Sequence, residues 1–239
     1  MIDQNTIAFV TGANRGIGAA LVSALLNAGV AKVYAGMRDP SKATVGLDDP
    51  RVVAVKLDVT NADQVAAAAA QAADTTVLFN NAGVLDFGDI LTAPMAGIER
   101  NIGTNYYGKL LMARAFAPVF STNGGGAIVN TLTLVALASM PGLSVYNASK
   151  AAAWSMTLSL RASLAGQNIT VHSVFPGAVD TDMLAGVDMD KTSPKEVALA
   201  IIKGLKAGDE DIFPDAMSTA VYAAWCADHK AVEKQFANM

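Results

Sequence analysis

Charge, cysteine and histidine are scarce in this chain, and each shortage removes a class of function. Only 16% of the 239 residues are charged and 52% are hydrophobic, where about a quarter are charged in ordinary soluble proteins. Such a chain can bury a large core and keep apolar surface for subunit contacts. Seventeen basic residues stand against 21 acidic ones, and the basic ones form no run, so nucleic acid is not expected as a partner. A single cysteine, Cys226, excludes an intramolecular disulfide framework and a cysteine-rich metal site, and reads as a reduced thiol of a cytoplasmic protein. His172 and His229 stand far apart and form no metal-ligand motif, so no metal is expected. Long hydrophobic runs are also missing. No charge occurs between Arg114 and Lys150, yet Pro118, Gly124-Gly125-Gly126, Asn130 and Pro141 interrupt that stretch, and nothing approaches the roughly 18 apolar residues of a membrane span. A buried parallel strand flanked by loops accounts for it. The polar start, Met1-Ile2-Asp3-Gln4-Asn5, leads straight into a strand and does not read as a signal peptide.

What is present alternates. Short apolar runs at 6–10, 31–36, 51–57, 75–79, 127–132, 168–175 and 210–213 read as strands. Helical patterns fall between them: one from about residue 17 with Ile17, Leu21 and Leu25 in register and closed by Gly29, then 61–73, 98–120, 145–166, 193–207 and 216–235. This alternation predicts a parallel sheet covered by helices on both faces. No linker, repeat or low-complexity segment divides it, so one domain over 1–239 is expected. The stretch 184–192, with glycine and aspartates, is the expected mobile loop.

Two patterns carry chemistry. Between the first strand and helix lies Thr11-Gly12-Ala13-Asn14-Arg15-Gly16-Ile17-Gly18. Glycines allow a tight turn and close backbone approach, and the helix N-terminus offers N–H groups and a positive dipole end to a pyrophosphate. An NAD site usually carries an acidic residue after the second strand, but here the strand runs into Gly36-Met37-Arg38. Met37 cannot accept a ribose hydrogen bond. Arg38 can pair with a 2′-phosphate, with Arg15 as a second cation, although Asp39 could instead partner Arg38. The cofactor expected is therefore NADP(H). The second pattern is Tyr146-Asn147-Ala148-Ser149-Lys150. Its tyrosine and lysine share one helix face, and a nearby ammonium lowers a phenol's pKa, so the pair could move a proton near neutral pH.

The turn at 11–18, Asp58, N-N-A-G at 80–83, Asn105, Y-x-x-x-K at 146–150 and P-G at 176–177 occur in one order and together resemble the short-chain dehydrogenase/reductase family over residues 6–214. The resemblance implies a Rossmann-type, doubly wound α/β fold with about seven parallel strands, a nicotinamide cofactor, and often a tetramer, or a dimer, built on the two long helices. It implies a cofactor site of Gly12, Asn14, Arg15, Gly16, Ile17, Gly18 and Arg38, with Asp58 and Val59 at the adenine and Asn81, Ala82 and Gly83 at the nicotinamide-side ribose. Pro176, Gly177, Val179 and Thr181 would seat the carboxamide, and Tyr146 and Lys150 complete the site. Tyr146 would be the acid/base, Lys150 its electrostatic partner and ribose ligand, and Asn105 the holder of a water leading to solvent. The family's catalytic serine position, 13 residues before the tyrosine, holds Thr133, and the neighbouring strand end holds Leu132. Threonine keeps the hydroxyl, while its methyl narrows the pocket. Leu134, Val135, Met140, Leu143 and Val145 are uncharged and near the site in sequence. They suit an apolar or aromatic ketone or the matching secondary alcohol, though core packing explains several of them equally well. A small-molecule carbonyl or alcohol substrate is expected, with no nucleic acid or membrane partner. A non-catalytic NADP(H)-binding regulator and a purely structural oligomer are the rival readings.

Overall fold

The computed structural model describes residues 2–43 and 48–239. Its strands are β1 (Ile7–Thr11), β2 (Lys32–Met37), β3 (Val52–Lys56), β4 (Val77–Asn80), β5 (Gly126–Thr131), β6 (Ile169–Val174) and β7 (Asp211–Ile212), and its helices are α1 (Gly16–Asn27), α2 (Ala62–Gln71), α3 (Met95–Ile102), α4 (Lys109–Thr122), α5 (Ser144–Leu164), α6 (Pro194–Ala207) and α7 (Ala216–Ala237). The strands form one parallel sheet in the order β3-β2-β1-β4-β5-β6-β7. This is the doubly wound α/β domain expected from the sequence. Its central strands are apolar throughout because helices cover both faces: Ala8, Phe9 and Val10 of β1 are fully buried, and Val77, Leu78 and Phe79 of β4 are nearly so.

Leu21, Val22 and Leu25 of α1 and Val197, Ile201 and Leu205 of α6 meet Ala8 and Val10 on one face. Met112, Phe116 and Phe120 of α4, with Val65 and Ala68 of α2, meet Phe9, Leu78 and Ile128 on the other. The order of winding reverses between β1 and β4, which opens a crevice at their carboxyl ends, the usual ligand position in such sheets. Local signals set the helix ends. Asn61 accepts from the Gln64 amide to cap α2. Ser193 and Glu196 form a reciprocal capping box on α6, which stops at Gly208 with φ of +83°.

Two expected helices differ. The helix expected over 98–120 is a composite rod: α3, a π-helical turn at Gly103–Gly108, and α4. The helix expected over 216–235 runs to Ala237 but leaves helical geometry at Asp228. The stretch 184–192 is tied back at its end, where Thr192 donates to the Ala178 carbonyl and accepts from the Asp180 amide, both at 2.9 Å.

Candidate active site

The glycine turn lies in the β1/β4 crevice. Gly12 and Gly16 have φ of +65° and +55°, and a Cβ on Gly18 would lie 2.1 Å from the Gly12 carbonyl oxygen. Only glycine fits these positions. No side chain caps α1 and its first turn carries no acid, so its N-terminal amides and dipole suit an anion. The N-N-A-G turn is knitted to the glycine turn: Asn81 Nδ2 donates to the Thr11 carbonyl (3.1 Å), and the Ala82 amide donates to Thr11 Oγ1 (2.9 Å). A Cβ on Gly12 would touch the Ala82 backbone at 3.0 Å. Asn14 and Ile17 are half-buried on the same turn.

Met37 is buried and Arg38 exposed at the end of β2. Arg38 stands near enough to Asp58 to act on its carboxyl. Burial pushes that carboxyl up, but hydrogen bonds from Thr60 and the Arg38 charge outweigh it and hold it below its ordinary value. Val59 is buried beneath Gly108. Asp39 accepts from the Ser41 amide and hydroxyl. Arg15, expected as a second phosphate cation, pairs with Asp182 at 2.7 Å across the crevice, and Thr181 packs against Gly16. Val179 is buried. The Gly177 amide donates to Asp215 at 2.8 Å, and the Pro176 carbonyl accepts from the Leu134 amide at 2.9 Å. These features fit a dinucleotide: glycine-cleared backbone, an uncapped helix start and an exposed arginine at the end of β2.

Thr133, Tyr146 and Lys150 converge in the buried interior beside this crevice. The Thr133 hydroxyl lies close enough to the Tyr146 phenol to draw its pKa down. It also makes long 3.4 Å contacts to the Pro176 carbonyl and the Val135 amide. Lys150 Nζ lies 5.5 Å from the Tyr146 ring centroid and donates to the Thr131 carbonyl at 3.0 Å. The lysine was expected to pull the tyrosine's pKa down. In the dry site, burial instead pushes the Tyr146 phenol up, opposed by the nearby Thr133 hydroxyl, and pushes the Lys150 amine down to about 7. The Lys150 amine sits over the ring, and burial dominates the phenol's shift.

Asn105 was expected to hold a water between Lys150 and solvent. Its side chain is fully buried in the π-helical turn and already engaged. Oδ1 accepts from the Val84 amide (3.0 Å), while Nδ2 donates to the Val84 carbonyl and to Ser149 Oγ, both at 2.9 Å. Its side chain therefore clamps the segment after N-N-A-G to the tyrosine helix. Asn105 Oδ1 and Lys150 Nζ nonetheless face one point: a Cβ on Gly83 would lie 3.1 and 3.5 Å from them.

Lys109 escaped sequence reasoning. It is 2% exposed, and its ammonium donates to the carbonyls of Asn80 (2.5 Å) and Ala82 (3.1 Å). Burial, and secondarily the Lys150 charge, pushes its pKa well down. The available signal was its place in an apolar stretch with no acid three or four residues away. Asp215 was also missed. It caps α7 through Ser218 and fixes Gly177.

Leu134, Val135 and Met140 pack with Tyr146. Leu143 is half-buried and sits in the segment that pairs with Gly88, and Val145 is buried. The pattern also missed Leu85, Val221, Trp225, Val232 and Phe236, which join the same cluster from the segment after N-N-A-G and from α7. Among the described residues no group of three or more histidine, cysteine or acidic side chains could hold a metal, and no helix is long and apolar enough to cross a membrane.

The family model described as short chain dehydrogenase matches residues 6–192. A short chain dehydrogenase from Burkholderia cenocepacia, solved in complex with NADP, is 39% identical, superposes with a TM-score of 0.94 and covers 99% of both chains. A short chain dehydrogenase/reductase from Burkholderia phymatum, solved with NAD, is 25% identical with a TM-score of 0.87, covering 98% of this chain and 96% of that one. An uncharacterized oxidoreductase of Staphylococcus haemolyticus is 32% identical over 208 residues, 83% of this chain and 90% of the relative. With its crevice, its glycine turn and its buried tyrosine and lysine, the chain belongs to the short chain dehydrogenase family of oxidoreductases.

Proposed function

We propose that the protein interconverts an apolar or aromatic ketone and the matching secondary alcohol with NADP(H), Tyr146 serving as general acid/base. The observation that carries this reading is the Thr133 hydroxyl beside the Tyr146 phenol inside an apolar-walled site, where two hydroxyls can hold one carbonyl oxygen. A bound reduced nicotinamide supplies hydride to the carbonyl carbon. Burial favours the neutral Tyr146, so the phenol carries the proton that the developing alkoxide needs. Thr133 exchanges its long contact to the Pro176 carbonyl for a hydrogen bond to the same oxygen. Protonated Lys150 balances the phenolate left behind. Asn105 and Lys109 hold the backbone on either side of Gly83.

Preference for NADP(H) is supported by buried Met37, which accepts no hydrogen bond, by exposed Arg38, and by the NADP-bound Burkholderia cenocepacia relative. The residues that would hold the cofactor are Gly12, Asn14, Arg15, Gly16, Ile17 and Gly18 of the turn, Arg38, Asp58 and Val59, Asn81, Ala82 and Gly83, Tyr146 and Lys150, and Pro176, Gly177, Val179 and Thr181. A homo-oligomer through α4 and α5 belongs to the same reading, supported by the groove lined by Tyr106, Leu110, Met156 and Leu160. The exposed free thiol of Cys226 is in keeping with a cytoplasmic location. The test is cofactor absorbance across a panel of aliphatic and aromatic ketones with NADPH and NADH. The expected result is oxidation dependent on an apolar ketone and faster with NADPH. Cofactor binding without turnover of any ketone would favour the regulator, and no cofactor binding the structural oligomer.

A further inference from the structure

α7 is two helices. At Asp228 the backbone is extended (φ −155°, ψ 90°), and the Asp228 carboxylate accepts from the amides of Lys230 and Ala231 at 3.0 Å each. An aspartate serving amides two and three residues ahead is a helix N-cap, so residues 229–237 begin a helix of their own. The two halves are held differently. The first is fastened by a ring stack, with Tyr222 4.0 Å from Phe213, and Trp225 6.3 Å from Tyr222 and 6.0 Å from Trp154, centroid to centroid. The second is exposed at every position except Val232 and Phe236, one helical turn apart, which are 3% and 4% exposed.

Those two side chains belong to the same buried apolar cluster as Leu134, Val135, Ala138 and Tyr146. They therefore help close the apolar cluster that buries Tyr146, which is only 7% exposed. Leu134 and Val135 sit on a 3-10 turn fastened by the Leu134 amide to the Pro176 carbonyl. The terminal helix is fastened by two apolar side chains, so it is the wall most readily reshaped.

We infer that Val232 and Phe236 are specificity-determining residues that plug the substrate side of the pocket over Tyr146 and limit the enzyme to compact ketones. The inference rests on the proposed carbonyl-reductase reading. The step itself is unchanged: hydride to the carbonyl carbon, the Tyr146 proton to the oxygen. Truncating the plug enlarges the space available to the carbonyl's substituents.

The experiment measures kcat and KM of the full chain for cyclohexanone and for benzophenone, with Val232→Ala, Phe236→Ala and Phe236→Trp variants. Phe236→Ala should raise the benzophenone-to-cyclohexanone ratio of kcat/KM by about tenfold or more, chiefly through KM, and Phe236→Trp should lower it. Equal ratios in all variants would overturn the inference. Hydrogen exchange of the same proteins gives a reading independent of turnover. Amides of 229–237 should exchange faster than those of 216–227, and Phe236→Ala should speed only the former. Uniform exchange from 216 to 237 would also overturn the inference. A wild type that reduces no ketone removes the proposed function instead, and the exchange data then decide whether the plug is separately held.

Discussion

Raising the pH should stabilise this protein, and buried lysines should be the reason. Lys150 is 3% exposed and burial pushes its amine down to about 7, whereas a lysine in the unfolded chain titrates near 10.4. Between these values the unfolded state holds a proton that the native state has released, so stability rises with pH. The penalty for burying the ammonium is fully present below about pH 7 and gone above about 10.4. Across that window it amounts to about 4 to 5 kcal/mol, or about 1.4 kcal/mol per pH unit. Lys109, also pushed well down by burial, adds a slope of the same sign. His172 is pushed down by burial from a value already near 6.5, so its titration falls below the window. Urea unfolding at intervals from pH 7.5 to 9.5 measures the slope. The Lys150 share of the gain should be about 1.4 kcal/mol per unit, and Lys150→Met should lose it. Identical slopes in the two proteins would refute the burial argument. The same value bears on turnover. If protonated Lys150 is needed, kcat/KM for ketone reduction should fall as pH rises past about 7, because that parameter reports the free enzyme.

Two further outcomes follow from the site. NADPH should bind more tightly than NADH, and Arg38→Ala should remove at least about tenfold of that preference, a charge-assisted contact being worth about 1.5 to 3 kcal/mol; dissociation constants for both cofactors test it, and an unchanged preference would clear Arg38 of the role. Thr133→Val should cut kcat by about 10²- to 10³-fold while Thr133→Ser stays active, and an active valine variant beside a dead serine variant would make position 133 a packing residue.

Most of the fold was legible because its signals are local. Strands of apolar residues, a glycine turn and helices with local stop signals state their own conformations, and β1 through α1 and the helix over 193–207 read directly from sequence. What stayed hidden depends on partners far along the chain. The π-helical turn at Asn105 is locked by Val84 and Ser149, 21 and 44 residues away. Lys109 reads as a surface cation until the sheet brings Asn80 and Ala82 over it. The pairing of Arg15 with Asp182 joins residues 167 apart. The wall supplied by Val232 and Phe236 was invisible because Asp228, an ordinary helix residue by composition, breaks the helix that carries them. Spacing likewise announced the tyrosine–lysine pair but not its dryness, and dryness reverses the expected direction of the Tyr146 shift.

The central claim is that the Tyr146 phenol is the proton donor. Tyr146→Phe keeps the ring, its place in the apolar cluster with Leu134 and Val135, and the Lys150 contact over its face, and deletes only the hydroxyl beside Thr133. Single-turnover reduction of a compact ketone by the NADPH-loaded variant, with the NADPH dissociation constant measured alongside, isolates that atom. The rate should fall by about 10²- to 10⁴-fold with cofactor affinity within about twofold of wild type. A variant that keeps more than about a tenth of the wild-type rate would contradict the account.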